Sequence, residues 1–82
     1  MSVQELRELY GDAKGTTIIN RAVKAEIPGG ELLYRLLDDL YPRRSASPEL
    51  EATYARLIAI KSEMTRAIAV KYGLKSATEA TT

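Results

Sequence analysis

The stretch from Ser47 to Leu74 carries a helix start signal and a helix stop signal with no breaker between them. Ser47 suits an N-cap, because its hydroxyl can accept from a first-turn N–H that has no intrahelical partner. Pro48 suits the first helical position, where no N–H is needed, and Glu49 and Glu51 complement the positive end of the helix dipole. At the other end, Gly73 followed by Leu74 matches a left-handed C-terminal cap closed by a hydrophobic contact. A helix from Pro48 to Tyr72 is about 37 Å long at ~1.5 Å per residue. It is roughly twice the length of any other helical segment here, so no single short helix can cover it. Either two short helices lie along it in succession and close a monomeric bundle, or part of its apolar face is left for a second copy of the chain.

Three shorter segments precede it. Ser2-Val3-Gln4-Glu5 reads as a capping box, and Val3, Leu6, Leu9 or Tyr10, and Ala13 follow at helical spacing, with an end near Gly11 or Gly15. A second helix begins near Thr16 or Thr17, carries Ile18, Ile19, Ala22 and Val23 on one side, and stops where Pro28 disfavours helix at Ile27. Gly29 and Gly30 then form a short flexible break. In the third helix, Glu31 to Leu40, the stripe Leu32, Leu33, Leu36, Leu37 and Leu40 reads as core-facing, with Glu31, Arg35, Asp38 and Asp39 opposite. Residues 41–47 are a polar, proline-bearing linker, and 75–82 a flexible small-residue tail. The expected fold is therefore all-α. Three short helices pack on one long C-terminal helix within a single domain, residues 1–74.

Composition narrows the chemistry. The 82 residues include no cysteine and no histidine, which removes disulfides, thiol nucleophiles, ordinary zinc sites and imidazole acid–base catalysis. A chain of this size buries only roughly 60–65% of its unfolded surface, so help from a second copy suits it. No apolar run approaches the ~18 residues needed to span a bilayer, and the first residues lack the basic and apolar parts of a signal peptide. The expected setting is cytoplasmic. Net charge is only +1, but its distribution is uneven: residues 1–42 hold seven acidic against five basic side chains, whereas from Arg56 onward five basic residues face Glu63 and Glu79. Such asymmetry can steer an anionic partner, although cations near a helix C-terminus are also what the dipole favours.

Projected at about 100° per residue, the long helix groups Leu50, Tyr54, Leu57, Met64, Ile68 and Tyr72 on one face, widened by Ile58 and Ala69. Glu49, Arg56 and Glu63 lie opposite, although Ile60 and Val70 interrupt that polar side. Lys61 falls within the apolar face. Three readings explain a charge there: a snorkelling stem, an ion pair with Asp38, Asp39 or Glu26 that sets register, or a catalytic amine. Glu26 sits close to the centre of the second helix's apolar arc and, as a last-turn residue, is expected to swing into solvent.

Other motifs carry less. In Gly11-Asp12-Ala13-Lys14-Gly15-Thr16-Thr17 the lysine precedes the glycine and no strand leads in, so this is not a phosphate-binding loop. Helices two and three have helix-turn-helix proportions, but the would-be recognition helix displays Glu31, Asp38 and Asp39, which phosphate repels. A strand over Thr17–Ile27, as a ribbon-helix-helix fold requires, fits the pattern less well than a helix does. The reading is thus a non-catalytic protein–protein interaction module. It is a cytoplasmic adaptor or regulator of bacterial or phage type, acting as a homodimer and needing no cofactor or metal. Tyr34, Tyr41 and Lys61 are its candidate partner-binding residues. The alternative is a nucleic-acid-binding regulator using Arg43, Arg44, Arg56, Arg66 and Lys71.

Overall fold

Each expected helix forms, and the local signals explain most of its ends. The computed structural model describes residues 3–74; Ser2, the expected cap of the first helix, and the tail at 75–82 lie outside them. The elements are α1 (Val3–Tyr10), α2 (Thr16–Glu26), α3 (Gly30–Leu40), a 3-10 turn (Tyr41–Arg43) and α4 (Pro48–Lys71). Among the described residues there is no strand.

The caps of α4 are those expected. The Ser47 hydroxyl accepts from the Leu50 N–H at 3.1 Å. At the far end Gly73 is left-handed, with φ 73°, so that Leu74 N–H reaches the Ala69 carbonyl at 2.7 Å and Gly73 N–H the Val70 carbonyl at 3.2 Å. That pair of bonds is a Schellman closure, and Leu74 is buried beneath it. Ile27 leaves the helical region, as a residue before proline is pushed to do.

Gly29 and Gly30 are not simply a flexible break. Gly29 is left-handed and open, whereas Gly30 is the first residue of α3 and is buried against α2. A Cβ at Gly30 would lie 2.3 Å from the Val23 carbonyl oxygen, so the two helix backbones meet there with no room for a side chain.

The core is gathered at one end of the molecule. Leu6 of α1, Ile18, Ile19, Ala22 and Val23 of α2, Ile68 and Ala69 of α4, and the following Tyr72 and Leu74 form one buried cluster. Val3, Tyr10, Ala13, Ile27, Tyr34 and Met64 pack around it. Leu33 and Leu37 are the only leucines of the α3 stripe that become buried; Leu32 remains 56% and Leu36 40% exposed. The expectation that the whole stripe faces the core is therefore corrected. Its five leucines span an arc of about 140° at 100° per residue, wider than the contact that α2 and α4 provide.

The consequence is an asymmetric molecule. No residue between 38 and 67 is buried, although that stretch includes Leu40, Leu50, Leu57, Ile58, Ile60 and Met64. The chain measures 42 × 22 × 20 Å, and its long dimension matches the roughly 36 Å of α4 at ~1.5 Å per residue. The radius of gyration, 13.7 Å, exceeds the ~12 Å typical of a compact domain of this length.

Candidate functional site

The three candidate partner-binding residues occupy different surroundings. Tyr34 is half-buried between α3 and α2, where its hydroxyl donates to Asn20 Oδ1 at 2.6 Å. The ammonium groups of Lys24 and Lys61 approach its ring at 5.2 and 5.7 Å from the centroid. Burial pushes the Tyr34 phenol above its ordinary value. Tyr34 is thus engaged within the chain. Tyr41 stands at the opposite end of α3, exposed, with its ring tilted 57° against that of Tyr54 at 6.4 Å. The Arg44 guanidinium lies 3.9 Å above the Tyr41 ring and donates to the Tyr41 carbonyl at 2.6 Å.

Of the three readings of Lys61, the ion pair with Asp38, Asp39 or Glu26 does not form; among the described residues it has no carboxylate partner. Its stem follows the half-buried side of α4 and its ammonium turns to the Tyr34 ring, beside an open cleft of about 210 Å³. Thr16, Asn20, Ile58, Ser62 and Thr65 complete the lining of that cleft, and none of them supplies an acid or a base.

The basic candidates are spread along the molecule. Arg43 and Arg44 precede α4, Lys71 closes it about 36 Å away at ~1.5 Å per residue, and Arg56 and Arg66, both exposed, lie about 80° apart around the helix between them. Arg44 is held by Tyr41 and Lys71 by Glu26, which leaves Arg43, Arg56 and Arg66 as the basic candidates with no partner among the described residues.

Glu26 departs most from expectation. Instead of swinging into solvent, its carboxylate joins three elements. One oxygen accepts from the Lys71 ammonium, and the other accepts from the hydroxyls of Tyr10 and Tyr72, the latter at 2.5 Å. Burial pushes this carboxyl up, but the hydrogen bonds from Lys71, Tyr10 and Tyr72, together with the lysine charge, outweigh that and hold it below the usual carboxylate range. Tyr10 and Tyr72 are both raised, first by burial and then by the adjacent carboxylate. Nothing in local spacing announces this cluster, because Tyr10 and Glu26 are 16 residues apart and Glu26 and Tyr72 are 46.

The sign of the pH dependence follows. A carboxyl with a lowered folded pKa contributes stability that is present above its unfolded value, about 4.3, and is lost as pH falls through the folded value. The raised tyrosines contribute stability that is present below about 10 and is lost as pH rises through their folded values. The melting temperature should plateau between these limits. The difference between wild type and Glu26→Gln should be largest near neutrality and shrink below pH 4, where protonated Glu26 resembles Gln. Thermal melts of both proteins between pH 3 and 8 measure this, and a constant difference would contradict the assignment.

Two of the apolar groups that the core leaves outside, Leu36 and Ile60, lie on one side of the α3–α4 pair. On α3, Tyr34 faces α2, and Leu36 is about 200° further round the helix, so it points away from α2. On α4, Ile58 and Thr65 line the cleft shared with α2, and Ile60, about 160° from Ile58, likewise points away. Because α3 and α4 pack on each other, Leu36 and Ile60, each turned away from α2, border the furrow between these helices on the same side, whereas Leu32 lines a separate cleft with the end of α2, Lys24 to Gly29. Leu32 and Leu36 read as core from sequence, and only their excess over one helix contact hinted otherwise.

Among the described residues no helix is long and apolar enough to cross a membrane, and no group of three or more acidic residues is placed to hold a metal ion. No protein-family model, curated protein or solved structure matches the chain.

Proposed function

We propose that this chain is a non-catalytic protein–protein interaction module, an adaptor or regulator whose docking surface is the furrow between α3 and α4 on the side away from α2. The observation that supports this is the one-ended core. Residues 38–67 include six large aliphatic side chains and bury none of them, while Leu36 stands exposed on α3. Exposed apolar groups aligned along two packed helices form the kind of surface into which the apolar face of a partner helix fits. A catalytic reading has less to draw on. Lys61 faces an aromatic ring, and the carboxylate with the most distinctive surroundings, Glu26, has both oxygens occupied from within the chain.

The test is co-purification of tagged chain, with nuclease treatment, compared with a Leu36→Glu, Ile60→Glu variant. Both positions are about 40% exposed, so the variant should keep its helical circular dichroism. Wild type should retain a protein partner that the variant loses by tenfold or more, in line with placing charges in an apolar contact. Equal retention by the variant would overturn the proposal, and retention abolished by nuclease would transfer it to nucleic acid.

A further inference from the structure

The outward side of α4 has an order that its contacts within the chain do not use. Thr53, Arg56, Ile60, Glu63, Ala67 and Val70 are spaced 3, 4, 3, 4 and 3 residues apart and are all exposed, Val70 at 73%. A 3–4 alternation places side chains in one seam along a helix, the spacing through which two helices pair side by side. This seam lies on the flank of α4 that borders the α3–α4 furrow, because it includes Ile60. Its two charges, Arg56 and Glu63, sit about one turn before and one turn after Ile60. Among the described residues neither has an ion-pair partner.

We infer that the furrow is occupied by α4 of a second copy of this chain, packed antiparallel about a two-fold axis beside Ile60, with Arg56 of each copy paired to Glu63 of the other. The charge order selects this arrangement. A two-fold pair of parallel helices sets Arg56 against Arg56 and Glu63 against Glu63, whereas the antiparallel pair converts both repulsions into attractions. Ala67 and Thr53, at opposite ends of the seam, allow close approach, and the two helix dipoles oppose. The second α4 also lies beside Leu36, so α3 and α4 of both copies complete a four-helix bundle around Leu36 and Ile60, which one copy leaves exposed. This rests on reading the chain as an interaction module and names its partner.

Sedimentation equilibrium of wild type, Arg56→Glu, Glu63→Arg and the double reversal, each checked for helical circular dichroism, tests it. Wild type should be a dimer. Each single reversal puts like charges together at two symmetric places and should raise the dimer Kd by about tenfold or more. The double reversal should restore it, because the pairs re-form with opposite sense. A wild type monomeric at every concentration overturns the inference, and so do single reversals that dimerise as well as wild type. If wild type is monomeric while the furrow variant still loses a different protein in co-purification, the interaction-module reading stands and only the self-pairing fails.

Discussion

Glu26→Ala is expected to remove about 3 kcal/mol of folding stability, a large part of the ~4–12 kcal/mol that a chain of this length has. Three donors from two other elements converge on that carboxylate, and they do not lose equally when it goes. Lys71 is nearly half exposed and recovers water, so its loss costs little. Tyr72 is 1% exposed, and without the carboxylate its hydroxyl and that of Tyr10 are left with only each other, so one donor of the pair goes unsatisfied at a cost of about 1–3 kcal/mol. Tyr10 is intermediate, and without its bond α1 is held to the rest of the molecule chiefly by Leu6 and its neighbours. Tyr72→Phe should cost less than Glu26→Ala, because it deletes one donor and leaves the carboxylate with Lys71 and Tyr10. In a double-mutant cycle the two changes should couple by about 1 kcal/mol or more, since Tyr72→Phe also removes the hydroxyl that Glu26→Ala strands. Urea melts of the four proteins provide the test, and additive losses would show that the carboxylate and the tyrosine do not act together.

The second large effect is expected at a residue with no side chain. Gly30→Ala should destabilise by about 3 kcal/mol, the upper end of the usual range for overpacking, because the added Cβ would lie 2.3 Å from the backbone oxygen of Val23. Side chains can turn away from such a contact; a helix carbonyl cannot, so α3 must shift as a unit relative to α2. Gly29→Ala is the matched control. There the added Cβ meets nothing within 4 Å, and the cost is only that of holding a non-glycine residue at φ 81°, about 1–2 kcal/mol. Denaturant midpoints should therefore rank wild type above Gly29→Ala and Gly29→Ala above Gly30→Ala. The reverse order would mean that the helices separate easily at this crossing.

The number and type of the helices, and nearly all of their ends, were legible in the residues because each depends on neighbours within a turn or two. Ser47 and Pro48 open α4, Gly73 and Leu74 close it, and Pro28 ends α2 through Ile27. Periodicity also identified the buried side of α2, where Ile18, Ile19, Ala22 and Val23 form one arc wholly covered by other elements. It overstated α3, since hydrophobicity records which residues suit a core but not how many neighbours the fold supplies. The exposure of Leu32 and Leu36 depends on where α2 and α4 lie. For the same reason Lys61 turned to a tyrosine ring, and Glu26, expected in solvent, was taken up by Lys71, Tyr72 and Tyr10. What the chain determined by itself were the helices and their caps, each set by short-range hydrogen bonding and by the 3.6-residue turn. Only the tertiary structure decided the Glu26 cluster, the contact at Gly30 and the one-ended core, because each brings together groups far apart in sequence whose meeting depends on how the helices cross.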